Sequence, residues 1–177
     1  MKNELLQVMP EFGQVRDPAL REKTIQVWLE AMKEAGWTFG DLNRMPFTLL
    51  IEKTPVSLVE HTRSVTRCSL AIAEVLLADF PGRVALSRDI LLSGALLHDV
   101  GKMFEYKKRG SQFVKSEAGE MLRHPISGAA LAYKHGLPQE VVHIIASHSK
   151  EGDGLRRTIE AIIVNHADFV NFDVLKR

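Results

Sequence analysis

Five places along the chain each offer a nitrogen or oxygen donor: His61, the doublet His98-Asp99, His124, His148 and Asp168. Imidazole and carboxylate together suit divalent iron, manganese, zinc and similar ions. The doublet alone is a weak signal. With eight aspartates and seven histidines in 177 residues, an adjacent His-Asp pair is expected about 0.3 times by chance. Its setting strengthens it. It closes an apolar run, Leu96-Leu97-His98-Asp99-Val100-Gly101-Lys102, with a histidine on an apolar stripe before it and an aspartate on an apolar stripe after it. A carboxylate facing a core is costly unless paired or metal-bound. His135, His143 and His166 are not expected to join this set. His166 stands two residues from Asp168 and so points to another helix side. His143 belongs to a different face from His148, and His135 reads as a helix-end cation.

The elements that must position these donors read as helices. Asp17-Pro18 is an N-cap followed by proline at the first helical position, and a helix is expected over 18–35, stopped by Gly36. Trp37, Phe39, Met45 and Phe47 follow in a stretch broken by Gly40 and Pro46. This is read as a loop or short turns whose aromatics either plug the core or wall a pocket. Ser57 and Glu60 fit a capping box for a helix over 58–78. On it His61, Val65, Cys68, Ile72 and Leu76 share one side, so His61 should point inward. Pro81-Gly82 ends that helix, and Ser87 starts the next, which runs up to the doublet. Gly101 is read as the permissive backbone at its end.

Residues 104–114, with Lys107, Lys108 and Arg109, read as a surface loop, and no strand is expected. His124-Pro125 precedes a small-residue helix over 126–135, and Gly136 and Pro138 separate it from a helix over 139–147. There Val141, Ile145 and His148 share a face. A last helix is expected over 155–174 with Ala161, Val164 and Asp168 on one side.

Composition bounds the function classes. The length suits one domain, with 45% hydrophobic and 25% charged residues. Lys+Arg of 23 against Asp+Glu of 22 gives a net charge of +1, which argues against a dedicated nucleic-acid surface. It leaves room for a small phosphorylated substrate met by a local cluster. Cys68 is the single cysteine, so no intramolecular disulfide can form. No run approaches the roughly 18 apolar residues of a membrane span, and residues 1–10 do not read as a secretory signal. A soluble, cytoplasmic protein is expected.

The motif LLHDVGK, together with EHTRSVTRCSLAIAE, HPISGAAL, IIASHS and NHADFVNFD, resembles the HD superfamily of metal-dependent phosphohydrolases over residues 55–173. That resemblance implies an all-α fold, a bundle of about five helices, with residues 55–177 as the HD domain. Residues 1–54 would add an N-terminal helix and an aromatic-rich connection packed on the bundle. It implies that His61, His98, Asp99 and Asp168 hold a first metal. His124 and His148 would hold a second, with Asp99 bridging. The cofactors would be two divalent ions, drawn from Fe, Mn, Zn, Co or Mg. The cyclic-dinucleotide-cleaving HD-GYP branch is rejected: the fourth station reads Ser147-His148-Ser149, with no Gly-Tyr-Pro after it. The branch that splits symmetrical diadenosine tetraphosphate has a similar ligand order. The myo-inositol oxygenase type shares that order too, with a di-iron centre.

The implied function is hydrolysis of a phosphomonoester or phosphodiester, a nucleotide among the candidates, by a metal-bound hydroxide. Asp99 would hold both ions and orient the nucleophile, while Lys102 would stabilise charge on non-bridging oxygens. A di-iron oxygenase and a nucleotide-sensing module stay open as alternatives. Arg123 and the Lys107-Lys108-Arg109 run either steer anions or are simply solvated. Asn165, one helical step from Asp168, is a candidate for supporting the ligands. Residues 1–54 could pack as an extra helix, close one side of the pocket or make a homodimer surface.

Overall fold

The computed structural model describes residues 1–52 and 54–177. The expected caps are formed. The Asp17 side chain accepts from the backbone N–H groups of Ala19 and Leu20 at the start of α2 (Pro18–Ala35), and Gly36 closes it. Thr38 and Asp41 form a capping box on the short α3 (Phe39–Leu42). Ser57 and Glu60 form another on α4 (Leu58–Asp79), each such cap stabilising its helix by about 1 kcal/mol. Ser87 caps α5 (Arg88–Leu97) through the Ile90 N–H.

α5 is the central element. Every residue from Leu91 to Leu97 on it is buried, as befits a helix that is apolar all round. Leu91, Leu92, Leu96 and Leu97 are fully buried, each contributing about 2 kcal/mol. Around it pack α4, α2, α9 (Gln139–Ser147) and α10 (Ile159–Leu175). α8 (His124–Lys134) packs on α9 and α2. One apolar cluster fills the space between α2, α5, α8 and α9, and a second, with Val65, Ala95, Ile144 and Val164, lies between α4, α5, α9 and α10.

Residues 1–52 are joined to this core by burial and by polar ties. α1 (Lys2–Val8) and a 3-10 turn (Pro10–Gln14) bury Leu5, Met9 and Phe12 in the first cluster. Asp89 on α5 accepts from the Arg16 and Asp17 N–H groups, Arg63 on α4 donates to Glu11, and Trp37 Nε1 donates to the Met103 carbonyl.

Three local expectations are corrected. The loop expected over 104–114 contains α6 (Lys102–Glu105) and an antiparallel hairpin, β1 (Tyr106–Arg109) and β2 (Gln112–Lys115), pairing Tyr106 with Lys115 and Lys108 with Phe113. The two-residue turn Gly110-Ser111, with Gly110 at φ 62°, sets this pairing, because hairpin turns of that length need positive φ. A short α7 (Glu117–Met121) follows. The last helix begins at Ile159 rather than 155, because the Thr158 side chain caps it and Arg157 is spent on the Ser147 and Ser149 carbonyls. Gly101 adopts an ordinary right-handed conformation (φ −65°). It is needed for space instead: a Cβ there would lie 2.0 Å from the His124 carbonyl oxygen. Among the described residues no helix is long and apolar enough to cross a membrane.

Candidate metal centre

The bundle brings the six donors named from sequence to one place. His61, in the first turn of α4, is buried, and its ring stacks on Phe47 with centroids 4.4 Å apart. His98 and Asp99 leave the end of α5, both buried. His124 opens α8, His148 follows the last residue of α9, and Asp168 stands mid-way along α10 with its side chain 17% exposed. Asp99 is the centre. Its Oδ2 lies 3.4 Å from His61 Nε2 and 3.3 Å from His98 Nε2. Its Oδ1 lies 3.3 Å from His124 Nε2 and 3.6 Å from His148 Nε2. Asp168 Oδ1 lies beside the first group, 3.0 Å from His61 Nε2 and 3.9 Å from His98 Nε2. His135, His143 and His166 lie outside both donor groups found among the described residues.

The surroundings aim the rings. His98 Nδ1 and His148 Nδ1 donate to the carbonyls of Ala95 and Ile145, at 2.7 and 2.8 Å. His124 Nδ1 donates to Glu105 Oε2 at 2.8 Å. In the neutral ring, a proton on Nδ1 leaves the lone pair on Nε2, the atom turned toward Asp99. His124 Nε2 and His148 Nε2 then face each other at 3.3 Å, beside Asp99 Oδ1, a buried oxygen with no hydrogen-bond partner. Acceptors converging without a proton between them are the donor set a divalent cation satisfies. The two groups of buried donors that share Asp99, His61 with His98 and His124 with His148, could hold divalent metal.

Electrostatics prepares the same donors. Burial alone would raise the Asp99 pKa, but the Lys102 ammonium and His98 hold it well below the usual carboxylate range. Burial likewise opposes ionisation of Asp168, yet the hydrogen bond with His61 brings it to about 2. Burial pushes His61 down and takes His124 to about 4, so both rings are neutral at pH 7. Lys102 is buried, and its Nζ donates to Asp99 Oδ2 and to the Phe47 carbonyl, each at 2.6 Å. Burial would lower its pKa, but Asp99 outweighs that and keeps it cationic.

A cavity of about 310 Å³ opens over the centre, with Lys102, His124 and Asp168 in its lining. Leu49, Leu50, Phe169 and Phe172 form apolar walls, and Arg123, Lys150 and Glu151 a charged one. Phe47 is both core and wall. Asn165 Nδ2 donates to the His148 carbonyl at 2.7 Å, so it supports His148 rather than Asp168. Of the basic run, Lys107 pairs with Glu117 and Lys108 with Asp41, and none of the three lines this cavity. Glu105, Phe169 and Phe172 were not singled out from sequence. For Phe172 a signal existed, since the position four after Asp168 shares its face of the helix. For Glu105 no local signal existed.

The family model described as HD domain matches residues 58–171. The dihydroneopterin 2',3'-cyclic phosphate phosphodiesterase of Methanocaldococcus jannaschii is 32% identical over 166 residues, covering 88% of this chain and 64% of the relative. The ribonuclease Y of Acidothermus cellulolyticus is 37% identical over 78 residues, covering 44% and 13%. That of Thermotoga maritima is 30% identical over 152 residues, covering 83% and 27%. The chain thus spans less than two thirds of the length of these curated relatives. No solved structure gives a significant match. With the matched segment running from the capped start of α4 to the Asp168 turn of α10, the chain belongs to the HD domain family.

Proposed function

We propose that this chain is a metal-dependent phosphodiesterase for a small phosphodiester, with two divalent ions shared by Asp99. The observation that carries the proposal is Asp99 itself, whose two oxygens each face a separate pair of imidazole nitrogens. In this reading His61, His98, Asp99 and Asp168 hold one ion, and Asp99, His124 and His148 the other. Bound there, two divalent ions would supply Lewis acidity toward phosphate oxygens and a water acidic enough to ionise near neutral pH. The chain's own residues do the rest. Lys102 keeps Asp99 ionised and places a cation in the cavity lining, where charge develops on non-bridging oxygens. Phe47 and the surrounding core exclude bulk water from the His61 side, which strengthens these interactions.

The cavity supports the substrate class. Its volume of about 310 Å³ lies at the lower end of the ~300–1,000 Å³ usual for small-molecule pockets. Apolar residues share the lining with Lys102, Arg123 and Lys150, beside Glu151, which suits a phosphodiester carrying a flat or apolar group. A small cyclic phosphate, such as the name of the Methanocaldococcus relative describes, belongs to this class. The test is hydrolysis by protein reconstituted with Mn²⁺ or Fe²⁺, assayed on 2',3'-cyclic AMP, bis(p-nitrophenyl) phosphate and an RNA oligonucleotide. The small diesters should be hydrolysed, and Asp99→Ala should abolish turnover. Undiminished hydrolysis in Asp99→Ala, or iron-dependent oxygen uptake with a polyol in place of hydrolysis, would overturn the assignment.

A further inference from the structure

Among the four imidazoles of the centre, His124 has a carboxylate behind it. His98 and His148 rest their Nδ1 on neutral backbone carbonyls, and His61 Nδ1 has no partner among the described residues. Glu105 Oε2 accepts from both the His124 ring and the His124 backbone N–H, each at 2.8 Å. Glu105 is 5% exposed, and a carboxylate so buried must be held by donors to remain ionised. It is. The His124 ring and backbone N–H supply two such donors to one carboxylate oxygen, and Arg123 faces the other. Arg123 Nε lies 3.3 Å from its other oxygen, and Arg123 reaches on to Glu151 at the rim of the cavity.

The backbone of Glu105 is clamped as well. Its carbonyl accepts from the Ser116 N–H at 2.8 Å, and a Cβ on Gly119 would lie 2.4 Å from that same oxygen. The end of α6, the start of α7 and the start of α8 are therefore packed so that the Glu105 backbone is held where its carboxylate meets His124.

A carboxylate on the far nitrogen of a ligating imidazole fixes its tautomer and raises its basicity, and loss of such a partner costs about 10- to 100-fold in metal affinity. We infer that Glu105 is a positioning residue for the second cation: it sets the affinity of the His124–His148 side of the centre and leaves the His61–His98 side unaffected. The inference rests on the two-ion reading above, and deepens it by making the two positions unequal in a predictable way.

The experiment is a Co²⁺ titration of metal-free protein, followed by calorimetry and visible absorption, on wild type, Glu105→Gln and His124→Ala. Glutamine keeps the shape and removes the charge. Wild type should take two ions. In Glu105→Gln, the ion that His124→Ala loses should bind about 10- to 100-fold more weakly, with the other dissociation constant changed less than about twofold. Equal weakening of both ions would mean a general structural role, and unchanged binding would mean no role; either overturns the inference. A wild type that takes a single ion refutes the two-ion reading, and the inference with it. Should Glu105→Gln fail to fold, ¹⁵N spectra of the wild-type imidazoles decide. Metal-free His124 must carry its proton on Nδ1, and an Nε2-protonated ring overturns the inference.

Discussion

Replacing Gly101 by alanine tests whether the second half of the centre depends on how closely two backbones approach. A Cβ at residue 101 would sit 2.0 Å from the His124 carbonyl oxygen and 2.8 Å from the Gly128 nitrogen, against 3.4 Å or more for ordinary contact. Both obstacles are backbone, so no side chain can rotate out of the way. Nor does φ compete, since Gly101 lies at −65°, where alanine is comfortable. The first turn of α8 must therefore retreat by over an ångström, taking His124 with it. Overpacking of this kind costs about 1–3 kcal/mol, and backbone on both sides puts the expectation near ~3 kcal/mol, a fall in Tm of roughly 6–12 °C at this chain length. Gly13→Ala, where a Cβ meets nothing within 4 Å, is the control and should stay within about 0.5 kcal/mol. Urea unfolding of the metal-free variants gives the stabilities, and Co²⁺ titration shows whether the His124–His148 position is weakened along with them. A Gly101→Ala protein as stable as wild type and binding the same ions would refute the close-approach account.

Two further outcomes follow from the charges. Burial opposes ionisation of Asp41, but the hydrogen bonds from Lys108 and Thr38 prevail and hold its pKa far below the ordinary carboxylate range. A depressed folded-state pKa contributes stability that is present above the unfolded value of about 3.9 and lost as pH falls toward the folded value. Urea midpoints measured from pH 6 downward should therefore fall less steeply below pH 4 in Asp41→Asn than in wild type, and parallel curves would refute the coupling. Removing metal should also lower thermal stability. An ion present at 100 times its dissociation constant contributes about 2.7 kcal/mol, so chelation of loaded protein should reduce Tm by several degrees, and an unchanged Tm would mean that the folded centre does not bind the ion supplied.

Much of the helical frame was legible in the sequence because its signals are local. Caps at Asp17, Ser57 and Ser87 and the apolar periods after them reach four residues at most. They place His61 on the inner side of α4 and the doublet at the end of α5. The six donors were legible for the same reason, as residue types set on or beside apolar stripes and, through the resemblance, as an ordered set. Local signals failed where the chain is held by something distant. α1 has no side-chain cap and is fixed by burying Leu5 and Met9. The hairpin carries Lys107, Lys108 and Arg109, poor strand formers that a two-residue turn and the packing of Tyr106 and Phe113 hold in register.

The centre shows the same division. Sequence by itself determined which atoms are available: four imidazoles, two carboxylates and one lysine, with His61, His148 and Asp168 on apolar helix faces. Tertiary structure alone decided how they divide. Asp99 presents one oxygen to His61 and His98 and the other to His124 and His148. Glu105 stands behind one of those rings across a gap of 19 residues. That contact depends on α6, α7 and α8 meeting where Gly101 and Gly119 leave no room for a Cβ. A chain pattern records the period of a helix, whereas which oxygen faces which nitrogen is set by distances between elements far apart in sequence.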